Sequence, residues 1–138
     1  MRVQIRDAII AYVEADYAAA FPTIHAEFDN APFDLNNLAS QYVCFEIVSY
    51  GGGRISVGGP LRAEDLGYIY VTAYAKVGEG SRKPLLILDW FAAKLNEAII
   101  ITSGGTRVEL AAASSVGSSK GAGWYGEKTK FKFRAYTP

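Results

Sequence analysis

The sequence predicts an α+β fold: a single antiparallel or mixed β-sheet packed against two helices, with a projecting hairpin and long loops. Three observations carry that prediction. An apolar period of four residues runs through 3–19, a period of two runs through 42–50, 68–77 and 128–135, and a second helical pattern opens near Ser81. At 138 residues, half of them apolar, the chain suits one domain over 1–138 with one hydrophobic core. Fourteen glycines against five prolines indicate an ordered fold with several turns.

In residues 3–19, Ile5, Ile9, Val13 and Tyr17 form the buried stripe, widened by Val3 and Ile10, while Arg6, Asp7 and Glu14 face water. Pro22 restrains Phe21 and ends the helix, leading into an extended segment over 23–28 and a polar loop over 29–40. In the strand 42–50, Val43, Phe45 and Ile47 share one face, and Cys44, Glu46 and Val48 the other. Glycines 51–53 predict a hairpin turn into a short strand over 54–58, and Gly58, Gly59 and Pro60 predict a second turn. The strand 68–77 sets Ile69, Val71, Ala73, Ala75 and Val77 against the helices and Tyr68, Tyr70, Thr72, Tyr74 and Lys76 on the opposite face. That tyrosine face suits a partner, and it equally suits an ordinary solvated sheet.

Gly78 and Gly80 end this strand, and the second helix starts at Ser81 with Pro84 in its first turn. Its expected core stripe is Leu85, Leu88, Ala92, Leu95 and Ile99; Trp90 flanks it, as a core-edge side chain or an interface anchor. A short strand over 106–113 precedes a Ser/Gly-rich stretch, 114–125, that reads as a flexible or partner-ordered loop. In the last strand Thr129, Phe131, Phe133 and Ala135 face the core, and Lys128, Lys130, Lys132 and Arg134 form a basic row on the other side. A solvated face, a protein interface and contact with nucleic-acid phosphates each fit that row.

The formal charge is zero, so net charge points to neither a nucleic acid nor a membrane. The distribution is uneven: residues 1–48 hold seven acids and two bases, whereas 120–134 hold five bases and one acid. Such asymmetry suits pairing either within one subunit or between neighbours. No signal peptide and no membrane-spanning run is expected, because charges interrupt each apolar stretch.

Catalytic signatures are missing. The glycines of 49–67 lack the Gly-Lys-Ser/Thr ending of a phosphate loop. His25 is the single histidine and Cys44 the single cysteine, so neither a disulfide framework nor a thiolate cluster is expected, and Cys44 reads as a buried, unreactive strand thiol. A triad assembled from Ser40 or Ser56, His25 and Asp29 lacks a nucleophile elbow, and Glu64 and Asp65 read as adjacent solvated or capping carboxylates. A small soluble enzyme of unknown chemistry is the remaining alternative. No catalytic residue, metal or cofactor is expected.

The order of features, an amino-terminal helix with an aromatic-proline turn, then "RISVGGPLRAEDLGYIYVTAYAKVGEG", a Leu-rich helix and a closing "GWYGEKTKFKFRAY", resembles the tail terminator-like proteins of long-tailed bacteriophages. Arg54, Gly59, Pro60, Arg62, Gly67, Gly78, Gly80 and Trp124 carry the resemblance. It implies a structural virion protein that forms a homohexamer ring, caps the completed tail tube and offers a head-tail joining surface. Its implied partners are its own copies, the tail-tube protein and a head-completion or connector protein, with genome DNA passing through the ring without specific recognition. Another neck or connector protein is the nearest alternative. The resemblance places the protein in the virion at the head-tail junction, and in the host cytoplasm during assembly. This chain departs from the acidic character of some relatives through its basic last strand. The expected interface comprises Arg54 and Arg62, Tyr70 and Tyr74, Trp90, Trp124 and Tyr125, and the row Lys128, Lys130, Lys132 and Arg134.

Overall fold

A computed structural model describes residues 2–28, 41–54, 63–121 and 123–136. In chain order its elements are helix α1 (Arg2–Ala20), strands β1 (His25–Phe28), β2 (Gln41–Arg54) and β3 (Ala63–Lys76), helix α2 (Arg82–Leu95), and strands β4 (Ile99–Ile101), β5 (Arg107–Leu110), β6 (Ser114–Gly121) and β7 (Trp124–Tyr136). The described strands form one mixed sheet in the order β1-β2-β3-β7-β5-β4. β6 pairs with the part of β7 that β5 leaves open. β1 runs parallel to β2; the other pairings are antiparallel. The α+β class expected from the sequence is the class observed.

Both helices lie on one face of this sheet. Ile5, Ile9, Val13 and Tyr17 of α1 are buried as their spacing predicts, against Val43, Phe45, Ile69, Val71, Phe131 and Phe133 of the sheet. Val3 does not widen the stripe; it is 69% exposed. In α2 the buried side chains are Pro84, Ile87, Leu88, Phe91 and Leu95. The expected stripe was thus rotated: Leu85 is exposed, and Ile99 belongs to β4 rather than to the helix. The helix ends at Leu95, and Glu97 turns the chain with φ 55°. Ser81 precedes α2 in helical conformation, and its side chain makes no capping bond. The helices are tied by Lys94, whose ammonium meets the Asp16 carboxylate at 2.5 Å and lies over the Tyr12 ring. Tyr17 stacks on Phe91 and meets Trp90 edge-on, and its hydroxyl donates to the Ile24 carbonyl at 3.0 Å. Trp90 also meets Phe21 and Phe91 edge-on, which makes it a core-edge side chain.

Two connections differ from the sequence reading. Gly51, Gly52 and Gly53 do not reverse the chain; they continue β2 opposite Leu66, Asp65 and Glu64 after an irregularity at Ser49/Gly51. An added Cβ at Gly52 would fall 2.5 Å from the Glu64 carbonyl oxygen, so the glycine permits close strand approach rather than a turn. Of the expected strand 54–58 only Arg54, at the end of β2, is among the described residues; residues 55–62, with the second expected turn, lie outside them, as does the stretch 29–40 expected to be a polar loop. The stretch 114–125 is not a loop. Its described residues form β6 and the start of β7, with a register shift at Ser115/Gly117. All eight β6 residues are exposed, so backbone pairing with β7 defines the strand without an apolar period.

Candidate functional site

The sheet face turned away from the helices is the chemically distinctive surface. Cross-strand register brings β3 Tyr68 opposite Lys132, Tyr70 opposite Lys130 and Thr72 opposite Lys128. Two of these lysine stems reach one step diagonally, so that Lys128 Nζ lies 4.5 Å from the Tyr70 ring centroid and Lys130 Nζ 4.9 Å from that of Tyr68. Tyr50 stacks on Tyr68 at 5.1 Å, and Tyr68 leans on Tyr70. The result is a ladder of rings and ammonium groups in the middle of the face. Cation–π contacts of this kind contribute roughly 0.5–1 kcal/mol at exposed sites. The predicted alternation of β7 holds: Thr129, Phe131, Phe133 and Ala135 are buried, whereas Lys132 and Arg134 are exposed.

Toward one end, Tyr42 stacks on Tyr74 at 4.4 Å and receives Trp124 edge-on at 4.7 Å. Gly126 makes this possible, since a Cβ there would fall 2.6 Å from Tyr74 Cε1. Trp124 is 8% exposed and belongs to β7, so it braces Tyr42 instead of projecting from a loop. Burial raises the Tyr42 and Tyr74 phenols, and neighbouring ionisable groups add to it. Cys44 beside them donates its thiol to Glu27 Oε2 at 3.7 Å. Cys44 is half-buried rather than buried as expected, and burial first, then Glu27, pushes its thiol up to about 12. Tyr125, by contrast, pairs with Ala75 and so belongs to the other side of the sheet, where it is half-buried and donates its hydroxyl to Glu127.

Toward the other end, Arg134 Nε meets Glu64 Oε1 at 2.9 Å and its guanidinium lies over the Tyr136 ring. The Tyr136 hydroxyl donates to Glu109 at 2.7 Å, and Arg107 Nε reaches the same carboxylate at 2.8 Å. The hydroxyl first, and then Arg107, holds the Glu109 carboxyl below its ordinary value. Glu64 and Asp65 are therefore not a solvated turn pair. They are strand neighbours with separate roles, Glu64 holding Arg134 and the buried Asp65 accepting from the Ser49 hydroxyl at 3.0 Å.

Of the expected interface residues, Tyr70, Tyr74, Lys128, Lys130, Lys132 and Arg134 thus share this open face, and Trp124 supports it. Trp90 sits on the helix side, Arg54 closes β2 opposite Ala63, and Arg62 lies outside the described residues. The face also exposes Val48, Tyr50, Ile99 and Ile101, which sequence reasoning missed. Their signal was available in part: the even positions of 42–50 belong with the tyrosine face. Ile99 was hidden by its assignment to the helix. Ser40, Ser56 and Asp29 lie outside the described residues, and His25 lies exposed on β1, opposite Tyr42. Among the described residues no group of His, Cys, Asp and Glu could hold a metal ion, and no helix is long and apolar enough to cross a membrane.

No protein-family model and no curated protein matches the chain. Solved structures do. One, designated by a sequence identifier alone, superposes with a TM-score of 0.73 at 17% identity, covering 98% of this chain and 95% of its own. A chain of the virion of a native gene transfer agent particle superposes with a TM-score of 0.60 at 14% identity, covering 98% of this chain and 96% of its own. At such identities the likeness is one of fold, and this chain shares its fold, nearly end to end, with a component of that virion.

Proposed function

We propose that this chain is a structural virion protein of a phage-like particle, a tail terminator that assembles as a homohexameric ring, caps the completed tail tube and presents the head-tail joining surface. The observation that carries the reading is the near end-to-end fold likeness to a chain of the gene transfer agent virion. It is joined by the order of motifs that resembles tail terminator-like proteins and by an open sheet face on which tyrosines and exposed apolar side chains cluster, side-chain types that contact surfaces favour. The role is structural and uses no catalytic residue or cofactor. The partners are further copies of the chain, the tail-tube protein and a head-completion or connector protein, with the genome passing through the opening. The site of action is the virion at the head-tail junction, and assembly takes place in the host cytoplasm.

A different ring of the neck is the second reading, because the gene transfer agent likeness is to a component of a whole particle and does not specify position. Sedimentation over a concentration series, followed by imaging of purified tail tubes mixed with the protein, separates the readings. A ring at the tube end supports the terminator, and a ring that binds elsewhere in the neck supports the alternative. A chain that stays monomeric with and without tubes removes both.

A further inference from the structure

The lysine-bearing centre of the open sheet face is poorly matched to itself, although the face also carries Glu46, Glu64 and Glu109 nearer its margins. Two copies apposed through it would bring Lys128, Lys130 and Lys132 of one against the same row of the other, and like charges across an interface are strongly unfavourable. Its complement has to carry carboxylates on a surface low enough to let tyrosine rings approach. The same chain offers such a surface on its opposite side.

The outward stripe of α1, at positions 3, 7, 11, 14 and 18, consists of Val3, Asp7, Ala11, Glu14 and Ala18, all exposed. It presents two carboxylates and no cation, although Arg6 at its margin pairs with Asp7 at 2.8 Å. Its remaining side chains are apolar and mostly small, where a helix that ends in water ordinarily carries polar residues. Spacing agrees as well as charge. Seven helical residues set Asp7 and Glu14 about 10 Å apart, and Lys130 and Lys132 stand about 7 Å apart on their strand, a difference that flexible lysine stems absorb.

We propose that the tyrosine–lysine face of one subunit docks on the outer stripe of α1 of a second copy, with Lys130 and Lys132 directed at Asp7 and Glu14. This deepens the ring reading given above and rests on it. Because the two surfaces differ and lie on opposite sides of a two-layer domain, the contact is head-to-tail, the type of contact that closes into a ring when its rotation permits. It also accounts for the acidic amino-terminal and basic carboxy-terminal halves of a chain whose net charge is zero.

The test uses charge reversal on each surface. Lys130→Glu with Lys132→Glu reverses the sheet face, and Asp7→Lys with Glu14→Lys reverses the helix. All these side chains are exposed or half-buried, and circular dichroism checks that each variant folds. Each variant alone is expected to need at least about 100-fold higher concentration to assemble, in sedimentation with and without tail tubes. An equal mixture of the two restores assembly, because every junction in an alternating ring again joins opposite charges; the chain carrying all four substitutions assembles by itself. Wild-type-like assembly of both single-surface variants overturns the proposed contact, and so does a mixture that stays monomeric. Rings of the wild type alongside either result leave the ring reading standing, whereas a monomeric wild type removes the ring and the contact together.

Discussion

Gly67→Ala tests the packing of the sheet most directly. Gly67 lies on β3 between β2 and β7, opposite Phe133, and the Phe133 ring occupies the space a side chain would take. An added Cβ would fall inside van der Waals contact with both the Val48 carbonyl oxygen and the Phe133 ring. Neither obstacle moves easily. Val48 is held in the β2–β3 ladder, and Phe133 is fully buried. Overpacking of a core costs about 1–3 kcal/mol, and two fixed obstacles place this substitution at the upper end, about 3 kcal/mol. For a domain of this size that lowers Tm by about 9 °C. Gly51→Ala in the same pair of strands is the control, because an added Cβ there meets nothing within 4 Å. It is expected to stabilise by about 0.5 kcal/mol through the unfolded chain. Urea unfolding followed by tryptophan fluorescence measures both. Equal stability of the two variants would refute the reasoning. Adding Phe133→Leu to Gly67→Ala should recover part of the loss by removing the ring, but not all, since the Val48 carbonyl stays in place.

Two further predictions concern burial. Cys44, whose thiol is pushed up to about 12, should react with iodoacetamide at pH 8 far more slowly in the folded protein than in urea; equal rates would show that the strand leaves the thiol accessible. The sign of the accompanying pH effect follows from the raised value: its share of stability is fully present below the ordinary thiol value of 9.0 and is lost as pH rises toward about 12. Phe91→Ala should cost about 3–5 kcal/mol, whereas Leu85→Ala, at an exposed position, should cost less than about 1 kcal/mol; chemical denaturation that ranked them in the opposite order would restore the helix orientation expected from the sequence.

Side-chain periodicity by itself determined the class of fold, the buried stripe Ile5, Ile9, Val13 and Tyr17, and the two faces of β7 and of β3 as far as Lys76, with Val77 beyond the strand exposed rather than set against the helices, because burial on one side leaves an alternation that needs no partner to be read. It also assigned Tyr70 and Tyr74 of β3, and Lys128, Lys130, Lys132 and Arg134 of β7, to the sides of their strands that turn away from the core, while the pairing of the two strands brings them together. Tertiary structure alone decided the rest. β6 exists through backbone bonds to β7 and has no buried side chain to announce it. Gly51–Gly53 extend a strand rather than turn because β3 lies alongside to pair with them. The orientation of α2 follows from where Leu95 ends the helix and from which side chains reach β3 and β7, so Ile87 and Phe91 are buried in preference to Leu85. The ladder of lysines over tyrosines, and the placement of Trp124 beneath the aromatic end of the open face, depend on the register of β3 against β7. Register is a property of two segments some 60 residues apart, and neither segment encodes it alone.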